Sequence, residues 1–329
     1  MDIKNKEKRK RFLSQNSIWF VLIVMVIVIW IATPHFMTSQ NIISMLTTES
    51  IVGILTMGMM FCILSKGIDL SVGSILGLTS VISASLAQNP DYTSKLFPNI
   101  PNLPIIVPIV VAVAVGTAFG LITGLLVAYT KIPPFIATLG TQLFTRALAQ
   151  LYTNAYPVPN LKDDFKILGQ GNIATIPNVV WIFVLFVALA GFLLTQTRFG
   201  KSIYAIGGND QAARIAGINV EKNLTLVYTL SAFCAAVGGV LLAARSGSGN
   251  SQLGLNYELD AVAAATVGGT SHTGGVCRIS GVIAGILILG VLKNGLLLLN
   301  ISPYIQQMVK GVIIVGAVVF DMRKNARKV

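Results

Sequence analysis

Charge is scarce in this chain of 329 residues: Asp, Glu, Lys and Arg together make up 11%, against 54% hydrophobic residues. A soluble globular domain carries about 25% charged residues, so a surface that mostly faces water is excluded. Histidine is nearly absent, with only His35 and His272, far apart in sequence. Cys62, Cys234 and Cys277 form no CxxC or Cys/His grouping and read as small buried hydrophobes, not metal ligands. A Gly-x-x-x-x-Gly-Lys-Ser/Thr phosphate loop is also missing. Gly200-Lys201-Ser202 echoes its end, but Thr195 stands where the first glycine is required. No catalytic constellation, metal or cofactor is expected, and the chain has no phosphate loop with which to draw energy from ATP.

Long apolar runs are what the chain has instead, with a mean hydropathy of +0.76. A spanning helix needs about 20 mostly apolar residues. Ten candidates fit, at 17–33, 49–65, 72–87, 105–129, 134–153, 178–195, 224–244, 259–270, 279–299 and 303–320. The expected fold is therefore an all-α integral membrane protein of about ten transmembrane helices. Residues 1–16 form a basic N-terminal tail, 17–320 one membrane domain, and 321–329 a basic C-terminal tail. The first apolar run ends in Thr33-Pro34-His35 without a small-residue cleavage site and reads as an anchor.

Orientation follows from the basic residues. The net charge of +12 suggests nucleic acid at first, but the Lys and Arg sit at the ends and between apolar runs. That is the positive-inside pattern of a membrane protein, not a basic face for nucleic acid. With both termini cytoplasmic, the inner segments hold seventeen Lys and Arg and the outer loops only Lys95, Lys162, Lys166 and Arg245. Arg146, Lys293 and Lys310 are left within spans. The eighth span is short, and the second and third are separated only by Lys66–Ser71, a feature of broken helices lining cavities in transporters. Ile132-Pro133-Pro134-Phe135-Ile136 is echoed by Ile301-Ser302-Pro303-Tyr304-Ile305, at opposite sides in this topology, which is the mark of an inverted repeat. Gly67 with Gly73 and Gly269 with Gly275 form a second candidate pair, at a different offset.

The longest inner loop, 196–223, carries the most information. Asn209 or Asp210 is suited to cap a short helix over Gln211–Ala216, and Gly217 to end it. Ala212, Ala213 and Ala216 give that helix a flat surface, with Ile215 and Ile218 as a greasy edge. A solvated connector has no use for such an edge, whereas docking into a partner's groove does.

Asp69, with Ser71 beside it, stands at a break between apolar segments. A carboxylate at membrane depth marks a polar pathway or a paired charge. The alternative is a cap on the third helix, with Lys66 as counter-ion. Glu258 and Asp260 open the eighth span as acids favoured by the helix dipole. Phe135 and Tyr304 are able to stack on a sugar ring, or to act as interfacial anchors. Gly116, Gly120 and Gly124 lie on one helix face and permit close packing.

Gln211-Ala212-Ala213-x-x-x-Gly217 resembles the Glu-Ala-Ala-x-x-x-Gly loop of ABC importer permeases, with Gln for Glu at the first position. Further segments look like the ribose and galactose branch of that family: Gly67-Ile68-Asp69-Leu70-Ser71-Val72-Gly73, Pro133 to Gly140, Thr197 to Gly200, Tyr257 to Ala261, and Val267 to Ser271. They run in the family's order from about residue 40 to the C-terminus; Lys66, where the family often has a small residue, departs from it. The resemblance implies a permease of the bacterial plasma (inner) membrane that moves a monosaccharide such as galactose or ribose. It implies an ATP-binding partner with two nucleotide sites, an extracytoplasmic sugar-binding protein, and a second permease subunit, a homodimer being expected, all within membrane lipid. Residues Asn209, Asp210, Gln211, Ala212, Ala213 and Gly217 would then form the ATPase-coupling helix, and Asp69, Ser71, Phe135 and Tyr304 the candidate substrate path. Alternatives are a related permease for nucleosides, branched-chain amino acids or a signalling sugar, or an ion-coupled secondary transporter.

Overall fold

The computed structural model describes residues 3–326, so 1–2 and 327–329 of the expected basic tails lie outside the described residues. The described residues form thirteen α-helices and one small hairpin. The helices are α1 (Ile3–Ala32), α2 (Ser39–Leu64), α3 (Val72–Leu86), α4 (Ile106–Thr130), α5 (Pro134–Thr153), α6 (Asp163–Gln170), α7 (Asn178–Gln196), α8 (Arg198–Gly208), α9 (Asp210–Ile215), α10 (Val220–Ser246), α11 (Tyr257–Val267), α12 (Ile279–Leu298) and α13 (Pro303–Ala326). The antiparallel hairpin joins β1 (Asn172–Ile173) to β2 (Ile176–Pro177). Among the described residues, six helices are long and apolar enough to cross a membrane: α2, α4, α7, α10, α12 and most of α13. The fold is that of an all-α membrane protein.

Two expected spans are half-helices. α3 has 15 residues and α11 has 11. At about 1.5 Å per residue they fall short of a hydrocarbon layer about 30 Å thick. Each adjoins non-helical backbone, 65–71 before α3 and 268–278 after α11. Such backbone is tolerated at membrane depth only where protein buries it. The core is built accordingly: almost every residue of α3 and of the second half of α2 is buried, and α10 runs against α2, α3 and α4. Small residues allow the last of these contacts. A Cβ on Gly116 would stand 2.6 Å from the Ala236 Cβ, and one on Gly124 the same distance from the Thr225 carbonyl oxygen.

The element order recurs. A long helix, a half-helix, a long helix and a helix opened by Ile-x-Pro appear as α2–α5 and again as α10–α13. The echo at 132 and 301 falls at matching places, immediately before α5 and α13. The glycine pair does not, because Gly67 precedes its half-helix and Gly269 follows the other.

Several loops contain more structure than their composition promised. The expected outer loop 34–48 already holds the start of α2, capped by the Thr38 hydroxyl accepting from the Asn41 amide. The loop 154–177 contains α6 and the hairpin, with Phe165 buried under them. The loop 196–223 is two helices, because the Thr197 hydroxyl caps a second one, α8.

The expected inner segments gather at one end of the bundle. Lys66 Nζ donates to the Gly208 carbonyl at 3.3 Å, and the Gly275 amide to the Leu64 carbonyl at 3.0 Å. Asp321 of α13 accepts from Ser271 and from the His272 amide. The expected outer segments meet at the other end of α3 and α4, where Asn89 bonds Asn160, Lys162 bonds Leu103, and Val158 pairs with Gly249.

Candidate functional site

α9 is short and held by its own termini. The Asn209 side chain accepts from the Ala212 amide at 3.0 Å. At the other end Gly217, at φ +80°, donates to the Arg214 carbonyl, and the Ile218 amide donates to that of Ala213. This is the Schellman closure that a glycine past the helix end permits. An ion pair of 2.5 Å from Arg214 to Glu221 ties the helix to α10. Beneath it α8 buries Ile203 and Ile206, and the Tyr204 hydroxyl donates to the Cys277 carbonyl at 2.7 Å. Burial pushes that hydroxyl up to about 12, so it remains a donor at any physiological pH.

The side chains of this helix divide cleanly. Gln211, Ala212, Ile215 and Ala216 face outward with Asn209 and Asp210, and Ile215 is 89% exposed. Ala213 is only 3% exposed and packs into the protein's own core, with Ile218 half-buried beside it. The sequence-based picture of three alanines on one docking face is corrected here. Helical geometry puts Ala212, Ile215 and Ala216 at i, i+3 and i+4, and Ala213 points inward.

Asp69 and Ser71 lie side by side in the break before α3. The Asp69 carboxylate accepts from the Ser71 amide at 3.0 Å and from its hydroxyl at 2.5 Å, and Asp69 is 1% exposed. Lys66 does not neutralise it, because its ammonium reaches Gly208 instead. The hydroxyl of Thr138 donates to the Ile68 carbonyl at 3.2 Å and fastens α5 to this turn. Phe135 and Tyr304 are both exposed, at the first turns of α5 and α13. The structure therefore joins Asp69 to Ser71 and leaves the two aromatics on the surface.

Sequence reasoning missed a band of charge around α11, although Arg146, Lys293 and Lys310 within spans were its signal. Gln142 of α5 donates to Glu258 at 3.2 Å, while Arg146 of the same helix donates to the Ser251 and Leu253 carbonyls. On the other side Lys310 of α13 pairs with Asp260, and Lys293 of α12 lies 3.9 Å from Glu49 of α2. The two acids opening α11 thus divide between α5 and α13.

Residues 41–318 match the family described as the branched-chain amino acid transport system permease component. The chain belongs to this permease family. It is 38% identical to the galactose/methyl galactoside import permease protein MglC of Escherichia coli, covering all of both chains. It is 40% identical to the ribose import permease protein RbsC of Bacillus subtilis over 93% of this chain and 92% of that one. The ribose import permease protein RbsC of Haemophilus influenzae is 38% identical over 97% of this chain and 96% of its own length. No solved structure matches the chain. Family membership and the apolar helices together make this permease a multi-pass protein of the bacterial inner membrane.

Proposed function

We propose that this permease is the membrane-spanning subunit of an ATP-driven importer of a monosaccharide such as galactose or ribose. The observation that carries the reading is Ile215, 89% exposed on a helix closed at both ends by its own caps and paired to Glu221 of α10. A large apolar side chain held rigidly in that position favours a partner groove. The partner is an ATP-binding subunit with two nucleotide sites, and residues 209–217 are its docking surface. ATP-driven closure then pushes α9, and through α8 and α10 the bundle.

An extracytoplasmic sugar-binding protein delivers the cargo to the opposite end, and a second copy of the permease completes the path. In this reading 17–320 act as one domain with ten membrane-embedded helices, and both termini face the cytoplasm. The recurring element order supports an inverted repeat with α5 and α13 as counterparts. Phe135 and Tyr304, exposed on those two helices, would then meet sugar, while Asp69 with Ser71 braces the turn to which Thr138 fastens α5. Names of full-length relatives favour sugars; the family's description keeps branched-chain amino acids as the alternative cargo.

Proteoliposomes provide the test. The permease reconstituted with the ATP-binding subunit and binding protein should take up galactose or ribose only when ATP is supplied to the ATPase side. Uptake by the permease alone would overturn the reading in favour of a secondary transporter. Single cysteines at Asp210 and Asn99 fix orientation: in intact cells an impermeant thiol reagent should label Asn99→Cys and spare Asp210→Cys.

A further inference from the structure

Between α2, α11, α12 and α13 lies a cavity of about 200 Å³, lined by Glu49, Asp260, Lys293, Gln306, Gln307 and Lys310 among others. Such a volume is below the roughly 300–1,000 Å³ of clefts for drug-sized ligands and is of the scale of one small sugar. The polar residues of α13 are spaced for this purpose. Gln306, Gln307 and Lys310 follow Pro303 at helical intervals of three, four and seven, on one stripe. Met308, Val312 and Val315 of the same helix are exposed. α13 therefore turns its polar stripe towards the bundle, the reverse of a helix on a water-soluble protein.

Hydrogen-bond accounting points to an occupant. Glu49 is 7% exposed, yet among the described residues its one ionic partner, Lys293, stands 3.9 Å away, and none donates a hydrogen bond to it. Beside it Gln306, half-buried, uses its amide nitrogen on the Ile301 carbonyl at 2.8 Å and leaves its oxygen towards the cavity, while Gln307 stands exposed at the cavity mouth. A buried carboxylate with no hydrogen-bond donor and only a distant counter-ion is costly. Ionisable groups at this depth by default mark a transport path.

The donor set defines the ligand. Two carboxylates accept hydroxyl protons, two ammoniums donate to hydroxyl or ring oxygens, and two carboxamides do both. With two charges of each sign, the cavity gives a single ion no net attraction. A neutral polyhydroxylated molecule can use the groups that are not already paired, Glu49, Lys293 and the two carboxamides. Resting on the monosaccharide reading above, we propose that this cavity is a transit site in the permease where the sugar is held by Glu49, Lys293, Gln306 and Gln307. Lys310 and Asp260, already paired to each other, hold α13 across it.

The test uses the complete transporter in proteoliposomes with D-galactose, D-ribose and L-leucine as probes. The three native cysteines are buried, so Gln307→Cys provides a single reactive thiol for a small neutral alkylating reagent. Gln306→Cys serves if the first does not insert. Saturating sugar should slow alkylation several-fold, and adding Glu49→Gln should raise the sugar concentration for half protection roughly tenfold, as for one charge-assisted hydrogen bond. Unchanged alkylation in vesicles that do take up sugar would mean that the cavity holds only water. This inference would then fall and the transport function would stand. Protection by leucine but not by either sugar overturns the ligand class. Absence of ATP-dependent uptake of both sugars by the unsubstituted transporter removes the monosaccharide reading itself.

Discussion

α9 and α11 are both short helices with an acid in the first turn, and they are stabilised in opposite ways. α9 closes its own ends through Asn209 and Gly217, and it displays Ile215. α11 has no side-chain cap: Asn256 precedes it at φ +65° and accepts the Asp260 amide with its backbone carbonyl alone. Its acids reach sideways instead, Glu258 to Gln142 of α5 and Asp260 to Lys310 of α13. One helix is a self-contained tool on the surface, and the other is a hub that other helices are fastened to. A surface helix satisfies its amides locally because water tolerates the remainder. A helix enclosed by its neighbours, as α11 is by α2, α12 and α13, has no such reservoir.

The largest effect that would sharpen this contrast concerns Ala213. It lies in the core, so Ala213→Arg should bury an unpaired cation and cost on the order of 3–5 kcal/mol. The expected result is loss of the permease from the membrane fraction, read by immunoblot, and not a folded but uncoupled transporter. Normal membrane levels would show that the inner face of α9 is not packed as described.

Ile215 follows. Being on the outside, Ile215→Ser should alter stability by less than about 0.5 kcal/mol. Loss of an interface anchor typically costs about 2 kcal/mol, roughly thirty-fold in affinity. Membrane levels should therefore be normal while sugar uptake, and ATP hydrolysis stimulated by loaded binding protein, fall steeply. Unchanged uptake would remove the docking role of α9.

How far each helix could be read from the chain follows from the same physics. Asn209 and Gly217 are local signals, since each acts within three or four residues of itself. The Ile-x-Pro starts of α5 and α13 are local too. The partners of Arg146, Lys293 and Lys310 lie about 50 to 250 residues away in sequence, beyond what spacing reveals. Composition also hid α8, because Thr197-Arg198-Phe199-Gly200 looks like a loop until the Thr197 hydroxyl is seen capping a helix. Lys66 misled in the other direction: proximity to Asp69 in sequence suggested a pair, but the turn sends the two side chains to different partners.

The α11 hub gives an intermediate effect. Asp260→Asn should leave the Lys310 ammonium without its counter-charge. Because Lys310 remains partly exposed, the cost is discounted to about 1–2 kcal/mol. A lower temperature of inactivation in detergent is expected. Adding Lys310→Met should restore most of it, since the second change removes the stranded charge. A double variant as unstable as the sum of the two singles would mean that the pair is not coupled.

The smallest effect belongs to Gly217, and it separates the two roles of the α9 terminus. At φ +80° an alanine is strained by about 1 kcal/mol, but its Cβ would meet nothing within 4 Å. Gly217→Ala should therefore insert normally and lower the stability of the isolated permease only slightly. Within the permease the methyl group points into open space, so a larger loss of function requires contact with another molecule. Comparing Gly217→Ala with Gly217→Asn makes the distinction, because asparagine tolerates the left-handed conformation better than alanine. If strain alone matters, asparagine should recover activity. If a tightly fitted ATPase groove lies over this corner, the bulkier asparagine should transport less well than alanine despite its easier backbone, with uptake rates in proteoliposomes as the readout. Equal and near-normal uptake from both would confine the contact surface to Ala212, Ile215 and Ala216.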